Sequence, residues 1–61
     1  MCEFELVVNG KIVFRDVIYA KDENGKVTVK DVVGSSREYL KHKIVEVDVN
    51  SKRLVLNLTK K

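Results

Sequence analysis

Two side chains in this sequence have chemistry that no neighbour duplicates: Cys2, its one thiol, and His42, its one imidazole. Cys2 is the sharper case. Methionine aminopeptidase removes Met1 when the second residue is small, and Cys qualifies, which leaves an amine and a thiol on one residue. That pair closes a chelate ring on a metal ion, and the backbone amide of Glu3 can add a deprotonated nitrogen. Thiolate and nitrogen donors in a plane suit Ni(II) or Cu(II). One chain supplies too few donors to complete such a site. A two-fold dimer that brings two Cys2 residues together completes it, with the ion on the axis of an isologous interface. The plain alternative is a cysteine at an unremarkable chain end. A disulfide within the chain is excluded, because there is no second cysteine to join.

The other polar residues point away from catalysis. His42 stands between Lys41 and Lys43 with no nucleophile at a useful spacing, and reads as a solvated side chain at the start of a strand. Asp22, Glu23 and Asn24 read as turn residues, and Glu46 and Asp48 as outward charges on a strand. No glycine-rich phosphate loop or EF-hand spacing occurs. The expectation is a protein that is not an enzyme.

Charge allows a second class of function. Twelve Lys and Arg against nine Asp and Glu give a formal net charge of +3. The bases that could form a nucleic-acid footprint are Arg37, Lys41, Lys43, Lys52, Arg53, Lys60 and Lys61, with Tyr19 and Tyr39 as the available stacking rings. Acids interleave with these bases along the chain, which equally describes an ordinary solvated surface.

The elements that must position these residues are strands. Twelve Val, three Ile and two Thr favour a pleated surface over a helix. Phe4, Leu6 and Val8 alternate in a first strand. Asn9-Gly10 predicts a tight hairpin turn, and a second strand runs from Lys11 to about Ala20. Ile12, Phe14 and Ile18 share a parity with Asp16, so a bulge is expected near Arg15-Asp16. Asn24-Gly25 predicts another turn, and Val27 and Val29 a third strand. Ser35 and Glu38 have capping-box spacing, which allows one helical turn. Val45, Val47 and Val49 alternate in a fourth strand. Asn50-Ser51-Lys52 makes a turn, and Leu54, Leu56 and Leu58 alternate in a last strand.

These segments predict an all-β fold, a five- to six-stranded antiparallel barrel of SH3-like or Sm-like form, mostly a meander, with the OB topology second. Residues 1–61 form one domain, with no linker or repeat. A charged fraction of 34% beside a hydrophobic fraction of 44% is too apolar for a disordered tail. No apolar run approaches the ~20 residues of a membrane-spanning helix, and the start lacks the basic residues of a signal peptide. The expectation is a soluble, cytoplasmic protein. Such a short chain buries little core. Val7, Val13, Val17, Tyr19 and Val55 put apolar groups on the second face, where a homodimer would cover them or where some would plug the barrel mouth.

Met1-Cys2 leading straight into a strand, Asp16-Val17, Lys30-Asp31-Val32-Val33-Gly34, Lys43-Ile44-Val45-Glu46-Val47-Asp48 and Arg53-Leu54-Val55-Leu56 occur in an order that resembles the CooT-like family of small proteins. The resemblance covers nearly the whole chain, through short motifs. It implies a small homodimeric β-barrel. It also implies Ni(II) binding through the cysteine at position 2, in an accessory role to a client nickel enzyme such as carbon monoxide dehydrogenase. Members of the family are also catalogued as predicted RNA-binding proteins. Only Cys2 carries over as a metal ligand; His42 matches no family ligand.

Overall fold

The computed structural model describes residues 3–59. It is all-β: β1 (Phe4–Val8), β2 (Lys11–Glu23), β3 (Lys26–Asp31), β4 (Ser36–Leu40), β5 (His42–Asp48) and β6 (Arg53–Leu58). They form one sheet in the order β4-β3-β2-β1-β6-β5. β1 to β3 form a meander, as expected; β4, a strand the sequence did not mark, extends it, and β5–β6 is a hairpin. The all-antiparallel expectation is corrected at one junction, because β1 and β6 pair in parallel, from Glu5 opposite Arg53 to Val8 opposite Leu56. No ladder joins β4 to β5, so the sheet curls without closing as a complete barrel.

The turns follow from local chemistry. Asn9 and Gly10 have φ of 57° and 74°, and Asn24 and Gly25 have 53° and 76°. Paired positive φ values match the twist of the flanking strands, and Asn-Gly adopts them with little strain. The helical turn expected around Ser35–Glu38 is absent, and that stretch enters β4 instead. Asp31 explains the difference. Its carboxylate accepts hydrogen bonds from the backbone N–H of Val33 at 3.1 Å and of Ser35 at 2.9 Å. The Asp31 N–H also donates to the Ser35 carbonyl at 2.9 Å. Ser35 thus closes a loop, and Glu38 pairs across the sheet with Lys26 at 3.6 Å.

β2 is the long element, and it bends where the sequence said it would. Phe4 lies opposite Val17 and Leu6 opposite Phe14, so Arg15 and Asp16 together face Glu5. Asp16 has φ of 60°, and the Arg15 guanidinium meets the Glu5 carboxylate at 2.9 Å. Further register shifts fall between Leu6 and Val7 on β1 and between Val17 and Tyr19 on β2. Each shift flips the face that the following side chains present. Val17, expected on the second face, is therefore buried at 2% exposure, while Ile12 and Ile18 are turned outward.

The core contains Leu6, Val17, Val27, Val29, Leu54 and Leu56, with Phe4, Val8, Phe14, Tyr39 and Ile44 packed against it. Burying a Leu or Val side chain contributes roughly 1.5–3 kcal/mol, so six such residues make a thin core. One end of the curled sheet is tied by polar contacts. The Lys41 N–H donates to the Gly25 carbonyl at 2.6 Å, and the Ile44 N–H donates to the Asp22 carboxylate at 2.9 Å.

Three substitutions check this account. Leu56→Ala, at a fully buried position, should lower the unfolding free energy by about 2–5 kcal/mol in urea denaturation. Val33→Ala, at the exposed loop, should stay within about 0.5 kcal/mol of wild type. Asp22→Ala removes the hydrogen bond from β5 to the β2–β3 hairpin, and should cost about 1–2 kcal/mol in the same assay.

Candidate functional site

The bends in β2 leave a gap in the sheet wall. β1 accompanies β2 only to Val17, and from Tyr19 to Glu23 β2 pairs with β3 alone among the described strands. On the other side of the gap stands β5, whose ladder runs only to β6. An apolar groove of about 260 Å³ occupies the space. Phe4, Val17 and Leu54 form its base, Ile18 and Tyr19 its β2 side, and Ile44 and Val47 its β5 side. Val47 lies opposite the buried Leu54 in the ladder and so faces the core side, yet it is 58% exposed. Ile18 is 55% exposed.

The sequence sets Ile18 on the parity of Ile12 and Phe14, and Val47 on that of Val45 and Val49, and neither alternation marks this groove. A second shift, between Ile44 and Glu46 on β5, breaks the simple alternation of Val45, Val47 and Val49. Asp22, taken as a turn residue, proved to be the tie that holds the end of the gap shut. Its signal was present only as an acid at an otherwise inward position, opposite Val27.

Cys2, the expected metal ligand, lies outside the described residues, as do Met1, Lys60 and Lys61. Phe4, two residues after Cys2, belongs to the groove. Among the described residues no three His, Cys, Asp or Glu side chains gather as a metal-binding group. His42 is half-buried, its Nδ1 donating to the Leu40 carbonyl at 2.8 Å. Its ring stands edge-on to Tyr39 with centroids 5.8 Å apart.

The bases of the nucleic-acid reading are dispersed. Arg37 sits over the Phe14 ring at 4.8 Å, on the face that carries the core. Tyr39 packs against that core rather than standing free as a stacking platform. Lys41 is the single residue between β4 and β5, with φ of 59°. Lys43 lies opposite Asn57 at one end of the β5–β6 hairpin. Lys52 and Arg53 lie at the other end, about 15 Å away at strand rise. Arg53 stands between two acids, opposite Glu5 on β1 and Asp48 on β5. No helix of the described residues is long and apolar enough to cross a membrane.

The Asp48 carboxyl is held below the usual carboxylate range, first by its hydrogen bonds with Ser51, with a smaller contribution from Arg53. A depressed folded-state value stabilises the fold above the unfolded-state value, and that stabilisation is lost as pH falls through the folded-state value. A carboxyl NMR titration should therefore show Asp48 ionising below its ordinary range. Ser51→Gly should move that value back toward the ordinary range, since the Ser51 side chain is the largest cause of the shift, and the backbone N–H at 3.3 Å should keep it partly lowered.

Compared with models of known protein families, the chain matches none, and no curated protein matches it.

Proposed function

We propose that this chain is a small homodimeric nickel-binding accessory protein, without catalysis of its own, that holds Ni(II) through Cys2 of each subunit for delivery to a client enzyme. The observation that carries this reading is the position of Phe4. The residue two places after the one thiol lines an uncovered apolar groove. Two residues span at most about 7 Å, so on this reading the thiol is within reach of a second copy that covers the groove. A second copy there would bring two thiols into one neighbourhood, each beside an amine once Met1 is removed.

The described side chains fit this division of labour. Among the described residues no three His, Cys, Asp or Glu side chains gather, and on this reading the ligands come from position 2 of each chain. The RNA-binding alternative receives less support, because its bases lie on different faces and Arg53 is flanked by acids. The cytoplasmic setting expected from the sequence suits a reduced thiol.

Calorimetric titration of Ni(II) into the reduced protein, with removal of Met1 confirmed by mass, tests the reading. The expected result is one ion per two chains, with affinity falling as pH drops because protons compete for the thiolates. Cys2→Ala should abolish tight binding while the circular dichroism of the sheet is unchanged. A Cys2→Ala protein that binds nickel as well as wild type overturns the proposal. Single-stranded RNA titrated at low salt should give no binding.

A further inference from the structure

We infer that the groove is the surface through which two copies of this chain meet, face to face, with the two-fold axis running along the groove. This rests on the homodimer reading above and names the surface it uses.

The first support is the exposure of side chains that the fold turns toward its own interior. Val47 faces the same side as buried Leu54, yet among the described residues it is left 58% exposed. Ile18, carried out by the register shift in β2, stands across the groove from it, also uncovered. A chain with six buried core residues gains proportionally much from covering two or three more.

The second support is the pattern of charge on the two rims. On the β2–β3 rim, the Lys30 ammonium lies 5.1 Å from the centroid of the Tyr19 ring. On the β5 rim, Glu46 and Asp48 precede and follow Val47 on the outer face of the strand, Asp48 opposite Arg53. An axis along the groove turns the β2 rim of one copy over the β5 rim of the other. Ile18 then meets Val47 of the second copy and Lys30 approaches its Glu46, each contact occurring twice in a closed, isologous interface. An axis across the groove would set each rim against its own kind, acid against acid.

The third support is that edge pairing, the other route to a dimer, is obstructed. Half of the β5 edge is occupied, since His42 N–H donates to the Gly25 carbonyl at 3.3 Å and Ile44 N–H to Asp22 at 2.9 Å. Antiparallel self-pairing of the remaining half about Val47 would place Glu46 opposite Asp48 of the second copy, and like charges directly opposite are destabilising. On β4, self-pairing about its central residue would oppose two Glu38 carboxylates.

Sedimentation equilibrium of the full chain, free of metal, tests the surface. Wild type and Cys2→Ala should both be dimers, because the contact is apolar and needs no ion. Val47→Lys and Ile18→Glu, both at exposed positions, should sediment as monomers with a wild-type circular dichroism spectrum. Lys30→Glu should weaken the dimer by roughly 10-fold or more, and adding Glu46→Lys should restore it. A dimer indifferent to Val47→Lys and Ile18→Glu overturns this surface and leaves the nickel reading standing on its own titration. Metal-free protein that is monomeric and pairs only on adding Ni(II) also overturns it. Loss of nickel binding with the groove dimer intact overturns the nickel reading alone.

Discussion

The structure depends on how β2 serves two neighbours in turn. Its first half pairs with β1 and its second half with β3, and Val17 is the residue at which both ladders meet, opposite Phe4 and opposite Asp31. The change of partner is possible because Arg15 and Asp16 share one opposing residue, which bends the strand and strengthens its twist. Asp16 bears the backbone cost at φ of 60°, a region where a short polar side chain is less penalised than most. Its carbonyl accepts the Val32 N–H at 3.0 Å, so the bend is also fastened to the loop after β3. A straight β2 would have left Val17 facing solvent and the core without its link between the two halves of the sheet.

The same bend creates the groove. Once β2 swings away from β1, its remaining edge cannot be reached by β1, and β5 is too firmly tied at its first residues to swing across. Asp22 and Gly25 hold the start of β5 at the tip of the β2–β3 hairpin, while the far end of β5 diverges with Val47 uncovered. Closure at one end and opening at the other are therefore one geometric fact. A one-residue link, Lys41, joins the two edge strands, so the chain has no slack with which to close the wall.

Much of this architecture was legible, and the failures have a common cause. The two Asn-Gly turns, the strand positions and the bulge at Arg15-Asp16 follow from local sterics, which depend on a few adjacent residues. The parallel contact of β1 with β6 joins residues almost fifty positions apart, and no local pattern encodes it. Alternation failed at Ile12, Ile18 and Val47 because register shifts that the sequence does not mark reverse the face of everything beyond them. The helical turn at Ser35 failed because Asp31, four residues earlier, competes for the same backbone N–H groups. Of the candidate site, the thiol was evident from its isolation. The apolar groove lined by Phe4 was not, since it exists only where the sheet fails to close.

Electrostatics bears on how such a surface could serve a cation. Each chain carries a formal +3, so a dimer presents a net positive field that disfavours approach of a divalent metal. That field is screened within roughly 8 Å at physiological salt. The ion pairs of Arg15 with Glu5, Lys21 with Glu23 and Lys26 with Glu38 cancel locally and leave that net charge unchanged. Steering by net charge therefore cannot account for nickel capture on the proposed reading. On that reading the affinity would come from short-range bonds to deprotonated thiolates. That makes the site sensitive to pH and to oxidation in a way that a cluster of surface carboxylates would not be. It also explains why so much would rest on pairing: a single thiolate on a positively charged chain is a weak trap, and a second one, brought in by the apolar contact rather than by the metal, would be in place before the ion arrives.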